Sequence, residues 1–247
     1  TASRAAVAEL PRSAAVAEHP HGAVVVVDGG SGWPQRALDA VGAGAVGLVV
    51  SDPVPVPLED ADRLIAALGR VPVALDRALL RPDAVADALA AASETPATLL
   101  TAVCAAATAE IGPTVCDAVG WLRVLGSAPL RLAVLSGRGS AALALLEGGA
   151  EATALTARVL VEGSSAARAR ITAVGPERTE VGVTRHGAPV IRVDREGGAL
   201  GVAPRFETRQ RLALRRVLEA VAGGEGLTDL GDFAADAAIA VPVVAAL

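Results

Sequence analysis

Five carboxylates, Asp28, Asp52, Asp76, Glu110 and Asp117, stand near the ends of segments that read as strands or helices. Two such acids with pKa values pushed apart could work as general acid and general base. The competing role for each is to cap a helix or fill a solvated turn. Cys116 is a candidate nucleophile, but a thiol needs a base in reach, and His19, His21 and His186 are all remote from it in sequence. Asp52, Cys116 and Asp117 are therefore the catalytic candidates. All 22 cations are arginine, and lysine and tyrosine do not occur. A lysine Schiff base, a catalytic lysine and a tyrosine acid are thus absent from this sequence. Cys104 and Cys116 lack CxxC spacing, and no histidine stands at ligand spacing from them. No metal site is expected, and both thiols read as reduced.

The elements that position these groups are organised around residues 23–53. Ala23–Val27 and Gly47–Val50 are short apolar runs without alternation, the pattern of parallel strands covered on both faces. Between them Pro34 suits a first helical turn, and Ala37, Leu38, Val41 and Ala45 recur at helical spacing. The unit reads as β-α-β. Its strands end in Asp28-Gly29-Gly30-Ser31 and Ser51-Asp52-Pro53, and the carboxyl ends of parallel strands are where α/β proteins bind ligands. Asp28, Gly29, Ser31, Trp33, Ser51 and Arg77 are the candidate walls of such a cleft. The glycines lack the GxGxxG spacing of a dinucleotide turn, so their simpler role is a tight turn. Trp33 and Trp121 either line a pocket or sit in the core.

Further elements follow. A short helix is expected at Ser13–Glu18, a helix at Glu59–Leu68, a strand at Val71–Leu75 whose Pro72 favours an edge or a strand start, and a helix from Arg81-Pro82 to Ala92. Beyond Ser93-Glu94-Thr95-Pro96 the pattern changes. A strand at Ala97–Ala105 and a helix at Pro113–Leu125 precede alternating segments at Leu130–Leu135, Glu151–Val161, Arg168–Val174, Glu180–Thr184 and Val190–Val193. These predict an antiparallel sheet of at least five strands, with hairpin turns at Gly175–Arg178 and His186–Pro189. Phe206–Ala222 reads as a helix whose Arg209, Arg211, Arg215 and Arg216 form a solvated cationic stripe. A last helix spans Leu230–Val241 behind Thr228-Asp229. The fold class is therefore α/β plus α+β: a truncated Rossmann-like parallel sheet over 1–92, then a domain with a large, mainly antiparallel open sheet over 93–247.

The net charge of −5, a pI near 5.3 and 2% aromatics argue against nucleic-acid binding. No apolar run approaches the ~20 residues of a membrane span. No basic stretch followed by an apolar run opens the sequence, so the expected location is the cytoplasm.

Four stretches, Trp33–Pro53, Asp76–Leu89, Ile111–Gly126 and Ala169–Asp236, resemble in order and spacing the Gfo/Idh/MocA oxidoreductases, the glucose-fructose oxidoreductase and inositol dehydrogenase family. The resemblance implies a Rossmann domain for NAD or NADP, then an open-sheet domain supplying substrate contacts and often the oligomer interface. Three departures accompany it. The half carrying the Gly-rich turn has no counterpart, the family's Glu-Lys-Pro becomes Ser51-Asp52-Pro53, and its histidine falls near Cys116-Asp117. The leading expectation is a degenerate member without a nucleotide cofactor, acting as a small-molecule-binding or assembly protein and homodimeric through the open sheet. The alternatives are an active NAD(P)-dependent oxidoreductase with an altered or partner-supplied cofactor site, and a non-redox enzyme using the cleft carboxylates.

Overall fold

Valine-rich runs with few charges form three strands, Val24–Asp28 (β1), Gly47–Ser51 (β2) and Val73–Asp76 (β3), paired parallel in the order β1-β2-β3. The computed structural model describes residues 5–7, 15–92, 95–161 and 166–247. Between the strands run helices Trp33–Gly42 (α1) and Leu58–Leu68 (α2). Gly32, at φ +76°, turns the chain into α1, with Pro34 in its first turn. β3 lies at an edge and starts just after Pro72, so both positions that this proline favours are met. The helix expected at Ser13–Glu18 begins outside the described residues, and 15–18 are exposed and not helical. So short a stretch has no packing to offset the cost of helix nucleation.

Helix Pro82–Ala91 (α3) follows, then the long strand Leu99–Ala107 (β4) and helix Ile111–Gly126 (α4). Seven strands come next: Arg131–Arg138 (β5), Ala141–Glu147 (β6), Ala152–Leu160 (β7), Arg168–Val174 (β8), Arg178–Thr184 (β9), Val190–Arg195 (β10) and Gly198–Val202 (β11). With β4 they form one sheet in the order β11-β10-β9-β8-β4-β7-β6-β5. All its neighbours are antiparallel except β4 and β7. β6 and β11 add to the strands expected from sequence. They are built from alanine, glycine and leucine, whose local preference for strand is weak, and pairing decides them. Helices Arg209–Gly223 (α5) and Asp229–Ala245 (α6) complete the chain.

The chain divides into two compact units, Thr1–Arg77 with Phe206–Ala234, and Ala78–Arg205 with Ala235–Leu247. This division differs from the boundary at 92/93 expected from composition, because α3 lies against β11 and α4. In the first unit α5 packs across the small sheet, where Val49, Ala74, Ala213, Leu214 and Val217 share a core with Ala6. Gly47 permits that approach, since a Cβ there would lie 2.6 Å from Val217 Cγ1.

In the second unit α4 buries ten consecutive-turn positions, among them Ile111, Val115, Val119 and Leu122, against the inner face of the large sheet. The inner residues of β4, β7 and β8 include Leu100, Ala102, Leu155, Ala157 and Ile171, alternating with outer positions. Arg123 on α4 and Asp236 on α6 form a two-pronged pair at 2.8 and 3.2 Å, with the Asp236 side chain fully buried. Asp236→Ala should cost about 3 kcal/mol, because it leaves a largely covered guanidinium without that carboxylate. Urea unfolding checks this, and the Arg123→Met/Asp236→Leu double variant should recover most of the loss.

Candidate functional site

The carboxyl ends of β1, β2 and β3 are in register, Asp28 opposite Ser51 and Ser51 opposite Asp76. Pairing continues past the strands. The Gly29 N–H donates to the Ser51 carbonyl at 2.7 Å, the Val54 N–H to the Gly29 carbonyl at 2.8 Å, and the Asp52 N–H to the Asp76 carbonyl at 3.0 Å. Gly29 makes this possible, because a Cβ there would be 2.6 Å from Pro53 Cα and closer still to the Ser51 oxygen.

Further bonds lie within the turn. The Gly30 N–H donates to Asp28 Oδ1 at 2.7 Å and the Trp33 N–H to the Gly30 carbonyl at 3.1 Å. The Arg36 guanidinium donates to the carbonyls of Asp28, Gly30 and Ser31 at 2.8, 2.9 and 2.8 Å. A dinucleotide pyrophosphate is held by free amides where a glycine-rich turn opens a helix. Here the amides of Gly29, Gly30 and Trp33 bond within the turns, and backbone fills the space over Gly29.

Asp52 sits at φ +52°, a left-handed conformation that aspartate tolerates better than most residues. Its two carboxylate oxygens receive Arg209 Nη1 and Nη2, each at 2.8 Å. Nη1 also lies 3.0 Å from Asp76 Oδ1 and donates to the Asp76 carbonyl at 3.2 Å. The Asp76 side chain is 1% exposed. Burial disfavours the Arg209 charge, but the hydrogen bond to Asp52 and the nearby Asp76 outweigh it, and the guanidinium pKa is raised. A cation thus stands at the turn where the resemblance places a lysine, but it comes from another helix and is engaged by two carboxylates.

The solvated stripe expected on α5 holds in part for Arg211 and Arg215, which are half-exposed and pair with Glu207 and Glu219. It fails for Arg209 and Arg216. Arg216 grips Asp229 with both Nη atoms at 2.7 Å, and Asp229 Oδ2 also accepts the Leu75 N–H at 3.0 Å. The signal was spacing: Arg209, Ala213, Arg216, Val217 and Ala220 fall on one helical face, and its apolar members are buried.

The other predicted residues have distinct places. Asp28 is 85% exposed and caps its own turn. Ser31 is exposed, and Ser51 lies between its two strand partners. Trp33 is not a cleft wall. It is fully buried, donates Nε1–H to the Val54 carbonyl at 3.0 Å and meets Phe233 edge-on at 6.1 Å. Arg77 is likewise buried, its guanidinium 5.4 Å over the Phe233 ring.

Cys116 is completely buried in α4, a poor position for a nucleophile, and burial pushes the Cys104 thiol up to about 12. Asp117 is 3% exposed and accepts the Leu79 N–H at 2.8 Å, while Trp121 Nε1–H donates to the Leu79 carbonyl at 2.7 Å. Together they engage both backbone polar groups of Leu79. Glu110 pairs with Arg185 at 3.2 Å, and His186 is exposed at its hairpin. Among the described residues no cluster of three potential metal ligands occurs.

No protein-family model matches the chain, and no curated protein matches it in sequence. Solved structures do match. UDP-N-acetylglucosamine 3-dehydrogenase GnnA from Acidithiobacillus ferrooxidans superposes with a TM-score of 0.71 at 16% identity, over 91% of this chain and 78% of that one. Its fold is that of the Gfo/Idh/MocA-type dehydrogenases. KijD10, a 3-ketoreductase from Actinomadura kijaniata solved in complex with NADP, gives 0.66 at 18% identity, over 91% and 77%. The dehydrogenase MviM from Clostridium difficile gives 0.68 at 6% identity, over 91% and 79%. At these identities the dehydrogenase fold is shared, and function must be argued from the residues. Among the described residues no helix is long and apolar enough to cross a membrane.

Proposed function

We propose that this chain keeps the Gfo/Idh/MocA-type scaffold, has lost NAD(P)-dependent hydride transfer, and acts as a small-molecule-binding or assembly protein. The observation that carries this reading is the two-pronged grip of Arg209 on Asp52. Hydride transfer at an alcohol needs a group to take the hydroxyl proton and a donor or cation to steady the oxygen. At the Ser51-Asp52-Pro53 turn the acid and the cation neutralise each other. At the second motif position Cys116 is buried, and the Asp117 carboxylate holds a backbone amide. The bonded amides of Gly29, Gly30 and Trp33, with backbone over Gly29, support the same reading for the nucleotide. Of the five acids, Asp52 and Asp76 are joined through Arg209, while Asp28, Glu110 and Asp117 each serve their own surroundings.

An NAD(P)-dependent oxidoreductase with an altered cofactor site is the second reading. It is favoured by the presence of NADP in the KijD10 structure. Isothermal titration of NAD+, NADH, NADP+ and NADPH into the chain separates the two. The expected result is no binding heat at millimolar nucleotide, and micromolar affinity for any of the four would overturn the first reading.

A further inference from the structure

The two edges of the small parallel sheet are finished differently. In a parallel ladder an edge strand turns alternate residues toward its neighbour and the others away from the sheet. At the β3 edge the Leu48 N–H bonds to the Pro72 carbonyl and the Asp52 N–H to the Asp76 carbonyl, which sets Ala74 toward β2 and Leu75 outward. The outward Leu75 N–H is taken by Asp229 Oδ2 at 3.0 Å. A side-chain carboxylate therefore blocks that edge.

β1 forms the other edge. The bond from the Gly29 N–H to the Ser51 carbonyl fixes its phase. Val25 and Val27 face β2, and the N–H and C=O groups of Val24 and Val26 point away from the sheet. The outward Asp28 carbonyl is taken by Arg36. Among the described residues nothing outside the sheet bonds to the backbone of Val24 or Val26. Val26 is 38% exposed, and the strand, VVVVD, carries no lysine, proline or bulge. Strand edges are usually protected by one of these, as β5 is by the bulge between Leu132 and Val134.

We propose that β1 pairs antiparallel with β1 of a second copy of this chain, about a two-fold axis at Val25, joining two three-stranded sheets into one of six strands. The inference rests on the assembly role proposed above, and it does not depend on the state of the nucleotide site. In this register Val24 of each copy stands opposite Val26 of the other, and each such pair exchanges both of its N–H···O=C bonds. Every outward donor and acceptor of the two valines is then used. Side chains meet valine to valine, with Val25 beside Val25 on the opposite face. Charge selects the antiparallel sense. It sets the two Asp28 carboxylates at opposite ends of the ladder, each opposite Gly22 in the acid-free turn 19–22 of the other copy, whereas parallel pairing would set them side by side. Strands of five residues cover less than the ~1,200 Å² of a stable interface, so the association is reversible and concentration-dependent. A strand of another protein would use the same backbone groups, but the match of valine to valine with acid kept from acid favours the second copy.

The test is sedimentation of the full chain from micromolar to millimolar concentration, where an association step is expected. Val26→Pro removes an outward N–H without breaking a bond to β2, and Val26→Lys puts a charge on the edge. Each should weaken the step by about tenfold or more, and thermal melts establish that both variants are folded. Val25→Cys gives an independent reading. Non-hydrogen-bonded partners stand about 4.5 Å apart between Cα atoms, within disulfide reach, so mild oxidation should yield a covalent dimer. Wild type, whose Cys104 and Cys116 are buried, and Val27→Cys, which lies out of register, should not yield one. A monomer at every concentration overturns the proposal, whether the edge is bare or filled by another segment or protein. So does association that both Val26 variants leave unchanged, the result an interface elsewhere on the chain would give. Nucleotide titration is a separate readout, so failure of one reading is distinguishable from failure of the other.

Discussion

Arg209→Met is expected to destabilise the first unit by about 3–5 kcal/mol, because it removes the cation that Asp52 and the buried Asp76 both engage. The loss is read as a lower urea midpoint with an unchanged slope. The triple variant Arg209→Met/Asp52→Asn/Asp76→Asn should recover a large part of it, since no charge is then left behind. A ligand-facing arginine would behave differently. Its removal would leave stability near the wild type, and that result would sink the account of this cluster as an internal ion pair. Asp52→Asn alone should cost less than Arg209→Met, because Asp52 is 29% exposed and water can take over part of its role.

Trp33→Ala is the second large effect, also about 3–5 kcal/mol. Trp33 has no exposed surface, and its truncation removes the edge-on contact with Phe233 and frees the Val54 carbonyl that its indole satisfies. Were Trp33 the wall of an open cleft, truncation would leave the melting temperature almost unchanged and alter only ligand affinity. Trp33→Phe keeps most of the volume without the N–H donor, and should fall between wild type and alanine.

Several features follow from the residues alone. The unbroken apolar runs at residues 24–27 and 47–50 specify parallel strands, and the expected cover on both faces holds for β2 but not for the edge strand β1, where Val26 is 38% exposed. Pro34, Pro72 and Pro82 act through a fixed φ and a missing donor, which are local properties, so the helix starts and the edge strand are predictable. Alternation in 168–174 and 180–184 specifies a sheet with one open face, and the order of these segments carries the likeness to the dehydrogenase fold. The absence of lysine is likewise visible before any folding.

The tertiary structure decided the rest. Whether an arginine on α5 is solvated or buried depends on which acids other segments bring to it, and Asp52 and Asp76 are 157 and 133 residues away from Arg209 in sequence. Asp117 reads as a candidate acid by position and becomes a clamp on the Leu79 amide only when α4 packs beside that loop. Trp33 and Arg77 read as cleft walls because they follow strands, yet Phe233, from the last helix, covers both. The glycine turn shows the same division. Its residue types permit a phosphate cradle or a close crossing, and the Ser51 and Pro53 backbone settles it as a crossing. Local propensity acts over a few residues, whereas the meaning of a charged or aromatic side chain is set by partners distant in sequence and adjacent only in the fold.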